Sequence, residues 1–269
     1  IVNQELRCFR EQIMTMFETA NHFVSSSLEL MPTLPEQGLD SILLSALLLN
    51  SYQQSFSAGD WSCVFDVGFV GGKRHYQNKE IGDILVSLRY HKRNKFNYGK
   101  LIFLQSKRLK AKAQKSGQGT TWHFKENSPY PELDLTAAAQ TQHQRILRYE
   151  TRKGVRVFYL LYNPRSVPIS VTLPAKHTFT PLDVGARVIA ARDIKVTKGI
   201  YSSLAAIKPN RSIQEFMADL VLCNHGHRIS DQGDFEVQRS TFVESVALWE
   251  MTLDIQVPED FDFPIAEGE

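Results

Sequence analysis

The sequence predicts an α/β protein with a mixed central sheet, an N-terminal helix and a C-terminal α+β extension. Three observations carry this. Between residues 35 and 163 the hydrophobic patterning changes period in the order helix, strand, strand, strand, helix, strand. The first three strand segments have short connections, which favours an antiparallel meander. A helical segment then separates the third strand from the fourth, and a strand–helix–strand passage sets its two strands parallel.

Each element has its own signal. Leu6, Phe9, Ile13, Met16, Phe17, Ala20 and Phe23 share one helical face. They predict a helix over 3–24, ended by the serines at 25–27 and by Pro32. A second helix starts near Pro35, which sits at the first helical position, with Thr33 and Glu36 at capping-box spacing. Residues 39–49 are apolar on most sides, so this helix is expected to be buried on more than one face. Residues 62–70, 81–90 and 100–107 read as strands, with a turn over 94–99. The polar stretch 108–131 reads as a long loop, a feature that in compact domains is usually functional or disordered. Residues 133–149 read as a helix, and 156–162 as a buried strand closed by Asn163 and Pro164. Beyond it, short strands are expected at 169–173 and 187–191, and helices at 213–223 and 240–250. The chain thus divides into an N-terminal helix (1–34), a core (35–164) and an extension (165–269) whose autonomy the sequence leaves open.

Bulk properties exclude more than they identify. The 269 residues are 42% hydrophobic and 22% charged, which suits a folded globular protein. The net charge of +2 does not announce a nucleic-acid partner, so any such signal must be local. Cys8, Cys63 and Cys223 are odd in number and far apart, which argues against a disulfide framework and for a reducing, cytoplasmic setting. The most apolar run, 42–49, is far shorter than the ~20 residues of a membrane-spanning helix. The first residues carry acids and amides rather than a basic segment followed by an apolar one, so neither a signal peptide nor a membrane partner is expected.

The chemistry concentrates on the second and third strands. Asp83 lies near the start of one, and Gln105 and Lys107 at the end of the next. Residues two apart on a strand share a face, and hairpin pairing brings that face beside Asp83. Glu80 is close enough to add a carboxylate. Charged groups at the ends of apolar strands are costly unless paired or metal-bound. Oxygen donors of this kind suit magnesium, and a neighbouring lysine can stabilise charge on a phosphate. Two basic runs stand out: KRLKAKAQK at 107–115 and HKRNK at 91–95. Either is a phosphate-contacting patch or a solvated surface.

These residues resemble the PD-(D/E)XK nuclease superfamily. The resemblance rests on the αβββαβ order, on Glu80-Ile81-Gly82-Asp83, and on Gln105-Ser106-Lys107. The Gln-x-Lys variant is similar to that of prokaryotic nucleases, several of which are effectors of anti-phage defence. It implies a restriction-endonuclease-like core over 35–163 and magnesium- or manganese-dependent cleavage of DNA. It implies Asp83, Gln105 and Glu80 as metal ligands, Lys107 as the catalytic lysine, and Glu80 or Glu36 as the remaining acid. Lys107, Arg108, Lys110, Lys112 and Lys115 would meet the DNA backbone. Gln105 departs from the commoner acid, and a neutral amide binds a divalent cation more weakly. The alternative is therefore an inactive fold that binds DNA or a protein. No ATP-binding loop or sensor segment is evident, so control is expected from a helicase, ATPase or sensor partner, or from self-assembly.

Weaker constellations have plainer readings. Cys223, His225 and His227 have zinc-ligating chemistry but lack a fourth ligand, and they read better as the end of a helix. Residues 68–73 superficially resemble a phosphate loop, but Arg74 replaces the required hydroxyl residue and a hairpin turn explains them better. Gln144 and Tyr149 come close to a Gln-x-x-x-Tyr motif of RecB-like members, with one residue too many between them.

Overall fold

The computed structural model describes residues 2–51, 56–71, 81–117, 119–131, 133, 141–175, 181–194, 202–209, 211–222, 226, 228–245 and 248–261. Helix α1 (Val2–Leu30) buries Phe9, Ile13, Met16, Phe17, Ala20, Val24 and Leu28, at helical spacing, against the sheet. It runs beyond residue 24, through the serines expected to end it. Ser25 is buried and donates its hydroxyl to Asn21 Oδ1 at 3.1 Å, so its polarity is satisfied inside the helix. Helix α2 (Glu36–Ser51) follows and packs on α1.

The main sheet has nine strands among the described residues. In chain order its first four are β1 (Phe56–Ala58), β2 (Trp61–Phe69), β3 (Ile84–Lys92) and β4 (Lys95–Arg108). Strands β5 (Lys112–Ser116) and β6 (Gly119–Phe124) leave the sheet, and α3 (Gln142–Lys153) returns to it at β7 (Arg156–Tyr162). Then come β8 (Ile169–Leu173), β9 (Arg187–Ala190), α4 (Leu204–Ile207), β10 (Arg211–Ser212), α5 (Ile213–Val221), β11 (Arg228–Ile229), α6 (Gln232–Ser245) and β12 (Trp249–Gln256). The spatial order is β1-β2-β12-β3-β4-β7-β9-β10, with β11 beside β4. The expected α/β architecture with a mixed sheet is present, and most of its strand pairs are antiparallel. The crossover from β4 through α3 to β7 is parallel, as expected.

The expected meander is interrupted. Strand β12 lies between β2 and β3, antiparallel to the first and parallel to the second. Residues 249 and 250 are therefore strand, not the end of a helix, and α6 starts earlier than expected. Met251, Leu253 and Ile255 alternate into the core, so β12 buries its apolar face between neighbours that sequence proximity does not reveal. Strands β9, β10, β11 and β12 all join the main sheet, so the chain after residue 165 completes the same core.

Two more expectations change. The turn over 94–99 is only the pair Arg93 and Asn94, with φ of 50° and 59°, which matches a two-residue type I′ hairpin. Gly99 lies within β4, where the ring of Phe235 occupies the space a Cβ would need. The polar stretch 108–131 is not a loop throughout. It carries the β5–β6 hairpin, which pairs with β8 in a separate three-stranded sheet. The helix expected over 133–149 is α3, which begins at Gln142 behind a Thr141 N-cap; residues 134–140 lie outside the described residues.

Helices cover both faces of the main sheet. On one side, α5 meets Tyr90 and Phe158, α2 meets Tyr162 and Ser106, and α1 packs on both helices. On the other, α3 and α6 meet Phe103 and Tyr159. A buried ion pair ties α1 to the segment after β7. Glu29 accepts from the Arg165 backbone N–H at 2.8 Å and from its guanidinium at 2.5–3.2 Å. Replacing Glu29 by Ala strands a buried guanidinium, so chemical denaturation should show a loss of about 3–5 kcal/mol. A loss below about 1 kcal/mol would mean the pair is dispensable.

Candidate active site at the carboxyl end of strand β4

The site begins with the register of β3 and β4. Ile84 pairs with Leu104, so Asp83 sits across from Gln105 on the same face. Its backbone is fixed from both sides. The Asp83 N–H donates to Leu104 O at 2.8 Å, and its carbonyl accepts from Leu248 N and Trp249 N at 3.1 and 3.0 Å. Gly82 precedes it for a packing reason, because a Cβ there would lie 2.8 Å from the Phe103 side chain.

The Asp83 carboxylate is buried, with 3% exposure. Its Oδ2 accepts from Gln105 Nε2 at 2.5 Å and from the Ser106 backbone N–H at 2.7 Å. Gln105 in turn accepts at Oε1 from Gln142 Nε2, at 3.0 Å. A carboxylate only accepts, so it fixes the amide with nitrogen towards Asp83 and oxygen towards α3. In this structure Gln105 thus donates to Asp83 and turns its amide oxygen to Gln142. Gln142, at the first turn of α3, reaches the site two residues before Gln144. Tyr149 instead packs its ring against Phe103 and Phe242.

Helix α2 brings the other acids. Glu36 accepts from Lys107 Nζ at 3.4 Å and from the Arg108 backbone N–H at 3.1 Å. Both side chains of the Glu36–Lys107 pair are nearly inaccessible. Asp40, one helical turn on from Glu36, belongs to none of the motifs read from the sequence. It is fully buried, and its Oδ1 accepts from Ser106 Oγ at 2.5 Å and from Tyr162 OH at 2.7 Å. Its Oδ2 has no hydrogen-bond partner among the described residues. Burial pushes the Asp40 carboxyl up to about 7, against the opposing pull of the Ser106 and Tyr162 hydroxyls. A signal for Asp40 does exist: it is the lone acid between Leu39 and the apolar run that follows, on the same helical face as Glu36.

Asp83, Gln105, Lys107 and Glu36 are thus brought together, with Asp40, Ser106, Gln142 and Tyr162 added. Asp83 and Asp40 both grip Ser106, one through its backbone N–H and one through its hydroxyl. Glu80, Cys223, His225 and His227 lie outside the described residues. Among the described residues, no three His, Cys, Asp or Glu side chains form a ready metal cage. The oxygen donors still suit a hard cation. Magnesium is commonly held by one or two carboxylates, with waters and substrate phosphates completing its shell. Asp40 Oδ2 is a buried oxygen to which no described residue donates.

The basic residues divide. Lys107 is buried against Glu36, and Arg108 is half-buried with a guanidinium bond to Pro32 O at 3.0 Å. Lys110, Lys112 and Lys115 are exposed, the last two on β5. The HKRNK run is the β3–β4 hairpin at the opposite end of the sheet, where Arg93 pairs with Glu259 and His91 with Asp254. That run is not a free cationic patch. Cys63 is a buried free thiol and Cys8 an exposed one. No described helix is long and apolar enough to cross a membrane. Comparison with protein-family models, with curated proteins and with solved structures finds no match.

The raised Asp40 carboxyl sets a pH test. Its stabilising contribution is complete below the ordinary carboxylate range and is lost as pH rises towards about 7. Asn at this position keeps the Oδ1 acceptor and carries no charge. Relative to wild type, Asp40→Asn should therefore gain roughly 1–4 kcal/mol in folding stability between about pH 4 and pH 8. A stability difference that is flat across that window would contradict the assigned burial of charge.

Proposed function

We propose that this chain hydrolyses phosphodiester bonds in DNA with the help of a magnesium or manganese ion. One observation carries the reading. At the carboxyl end of β4, three buried carboxylates are each hydrogen-bonded to one of the consecutive residues Gln105, Ser106 and Lys107, a few residues from an exposed basic strand. The resemblance of Glu80-Ile81-Gly82-Asp83 and Gln105-Ser106-Lys107 to PD-(D/E)XK nucleases points the same way.

Each residue has a task in this reading. Asp83 and Asp40 are the side chains that would hold the cation, which when bound would polarise the phosphoryl group and acidify a bound water. Gln105 orients Asp83 and is itself held by Gln142. Lys107 supplies the positive charge that neutralises the phosphoryl oxygens as negative charge builds up on them. Glu36 pairs with the Lys107 ammonium and fixes its direction. Lys110, Lys112 and Lys115 offer the backbone-contacting charges.

A second reading has its own observation. Gln105, a neutral amide where the commoner residue is an acid, donates to Asp83, which suits a fold that binds DNA or a protein without cutting it. Cleavage separates the two. Plasmid and linear DNA incubated with magnesium or manganese should be cut by the wild type. Asp83→Ala and Lys107→Ala should lose at least about 100-fold in rate while still binding DNA. DNA binding without cutting, by wild type and variants alike and in the presence of cell extract, would favour the binding module.

The basic strand makes a separate prediction. Lys112→Ala combined with Lys115→Ala should weaken DNA binding regardless of sequence. The salt slope should fall by about one for each phosphate that these lysines neutralise. An unchanged slope would remove β5 from the interface.

A further inference from the structure

The small sheet of β5, β6 and β8 has two unlike faces. Its register sets Ala113, Trp122 and Val171 in one row, and Lys112, His123 and Ser170 in the next. Adjacent rows point to opposite faces. The first face packs inward: Phe124 and Val171 are buried, and Trp122 and Ile169 lie against the core. The second carries Lys112, Gln114, Thr121, His123, Ser170 and Thr172. Ser170 and Thr172 are exposed, as is all of β5.

This open face is organised across its strands. His123 is joined to both neighbours, with Nδ1 2.7 Å from Ser170 Oγ and Nε2 3.1 Å from Gln114 Oε1. The hydroxyls of Thr121 and Thr172 meet at 3.0 Å. The result is a flat polar surface of roughly 15 by 10 Å, from strand length and spacing.

Its charge has one sign. No Asp or Glu occurs from Lys107 to Lys125 or from Arg165 to Leu182, and these two stretches contain all three strands. A merely solvated face ordinarily mixes both signs. Among the described residues, no carboxylate pairs with Lys110, Lys112 or Lys115. Lys112 follows Lys107 by five residues, so the face lies within about 18 Å of the buried lysine.

We propose that this open face docks double-stranded DNA by its phosphate backbone. Lys112 neutralises phosphate charge, and the amide, imidazole and hydroxyl groups of the three strands donate to phosphate oxygens. The form of the DNA follows from the placement of the rings. Surfaces for single strands stack bases on exposed aromatic side chains. Here Trp122 and Phe124 belong to the inward face, and both nitrogens of His123 are held by sheet neighbours. A duplex keeps its bases stacked inside and presents the phosphates that such a face meets. The inference rests on the nuclease reading only for DNA as the partner. It adds β6 and β8 to the contact surface and specifies the duplex.

The test is fluorescence anisotropy of the intact chain in EDTA, which stops metal-dependent cleavage so that binding alone is read. The probes are a duplex of about 25 base pairs and one of its strands alone, at equal salt. The duplex should bind more tightly than the single strand. Thr172→Glu, at an exposed position of β8, should weaken duplex binding by about fivefold or more. Thr172→Lys should tighten it, a change that misfolding cannot imitate. Thr15→Glu, an equal change of charge at an exposed position of α1, should alter it by less than about twofold. Absence of duplex binding by the wild type would overturn the proposal. So would duplex binding that neither Thr172 variant alters, or that Thr15→Glu weakens as much as Thr172→Glu. A single strand bound as tightly as the duplex would overturn the duplex assignment. Because no metal is present, failure of the cleavage reading leaves each of these outcomes standing, and the two claims fail separately.

Discussion

The arrangement depends on charge taken out of water at the end of β4. Asp83, Asp40, Glu36 and Lys107 are all buried there. An isolated buried charge is expensive, and such groups persist only when neighbours satisfy them. The fold does this with a small set of donors. The Ser106 N–H and the Gln105 amide serve Asp83, and the Ser106 and Tyr162 hydroxyls serve Asp40. Lys107 and the Arg108 N–H serve Glu36. Among the described residues of this cluster three acids face one lysine, and burial above all, with a smaller push from Glu36, raises the Asp40 carboxyl to about 7.

The topology explains why these groups can meet. Helices α2 and α3 cover opposite faces of the sheet, yet both begin at the same end of β4. Glu36 stands in the first turn of one, and Gln142 in the first turn of the other. Strand β12, inserted beside β3, holds the Asp83 carbonyl from the side that β4 does not reach. The β5–β6–β8 sheet leaves from the same end, so exposed lysines follow the buried one within a few residues. One strand end thereby combines a charged interior with a cationic exterior.

Much of this is legible in the sequence, for local reasons. The period of Leu6 to Phe23 marks α1, the Gly82-Asp83 and Gln105-Lys107 spacings mark a shared face, and the crossover to β7 follows from a helix between strands. What the sequence hides depends on long-range contacts. Nothing near Trp249 states that its segment will slide between β2 and β3. Ser25 reads as a helix stop unless its bond to Asn21 is known. The lysines of β5 read as loop because every residue of that strand is exposed, which erases the alternation that marks a strand. That Asp83 and Gln142 claim the two ends of the Gln105 amide is likewise not visible from its sequence neighbours. Asp40 is masked by its apolar neighbours, although a lone acid in such a helix is itself a sign of a buried partner.

If the carboxylates at the end of β4 form a cation site, crystals grown with manganese test it most directly, through the anomalous signal of the ion. One strong peak is expected about 2 Å from an oxygen of Asp83, and it should vanish in Asp83→Asn crystals. A map with no peak near Asp83 or Asp40 at saturating manganese would contradict the cation site, and would leave the buried charges as a purely structural network.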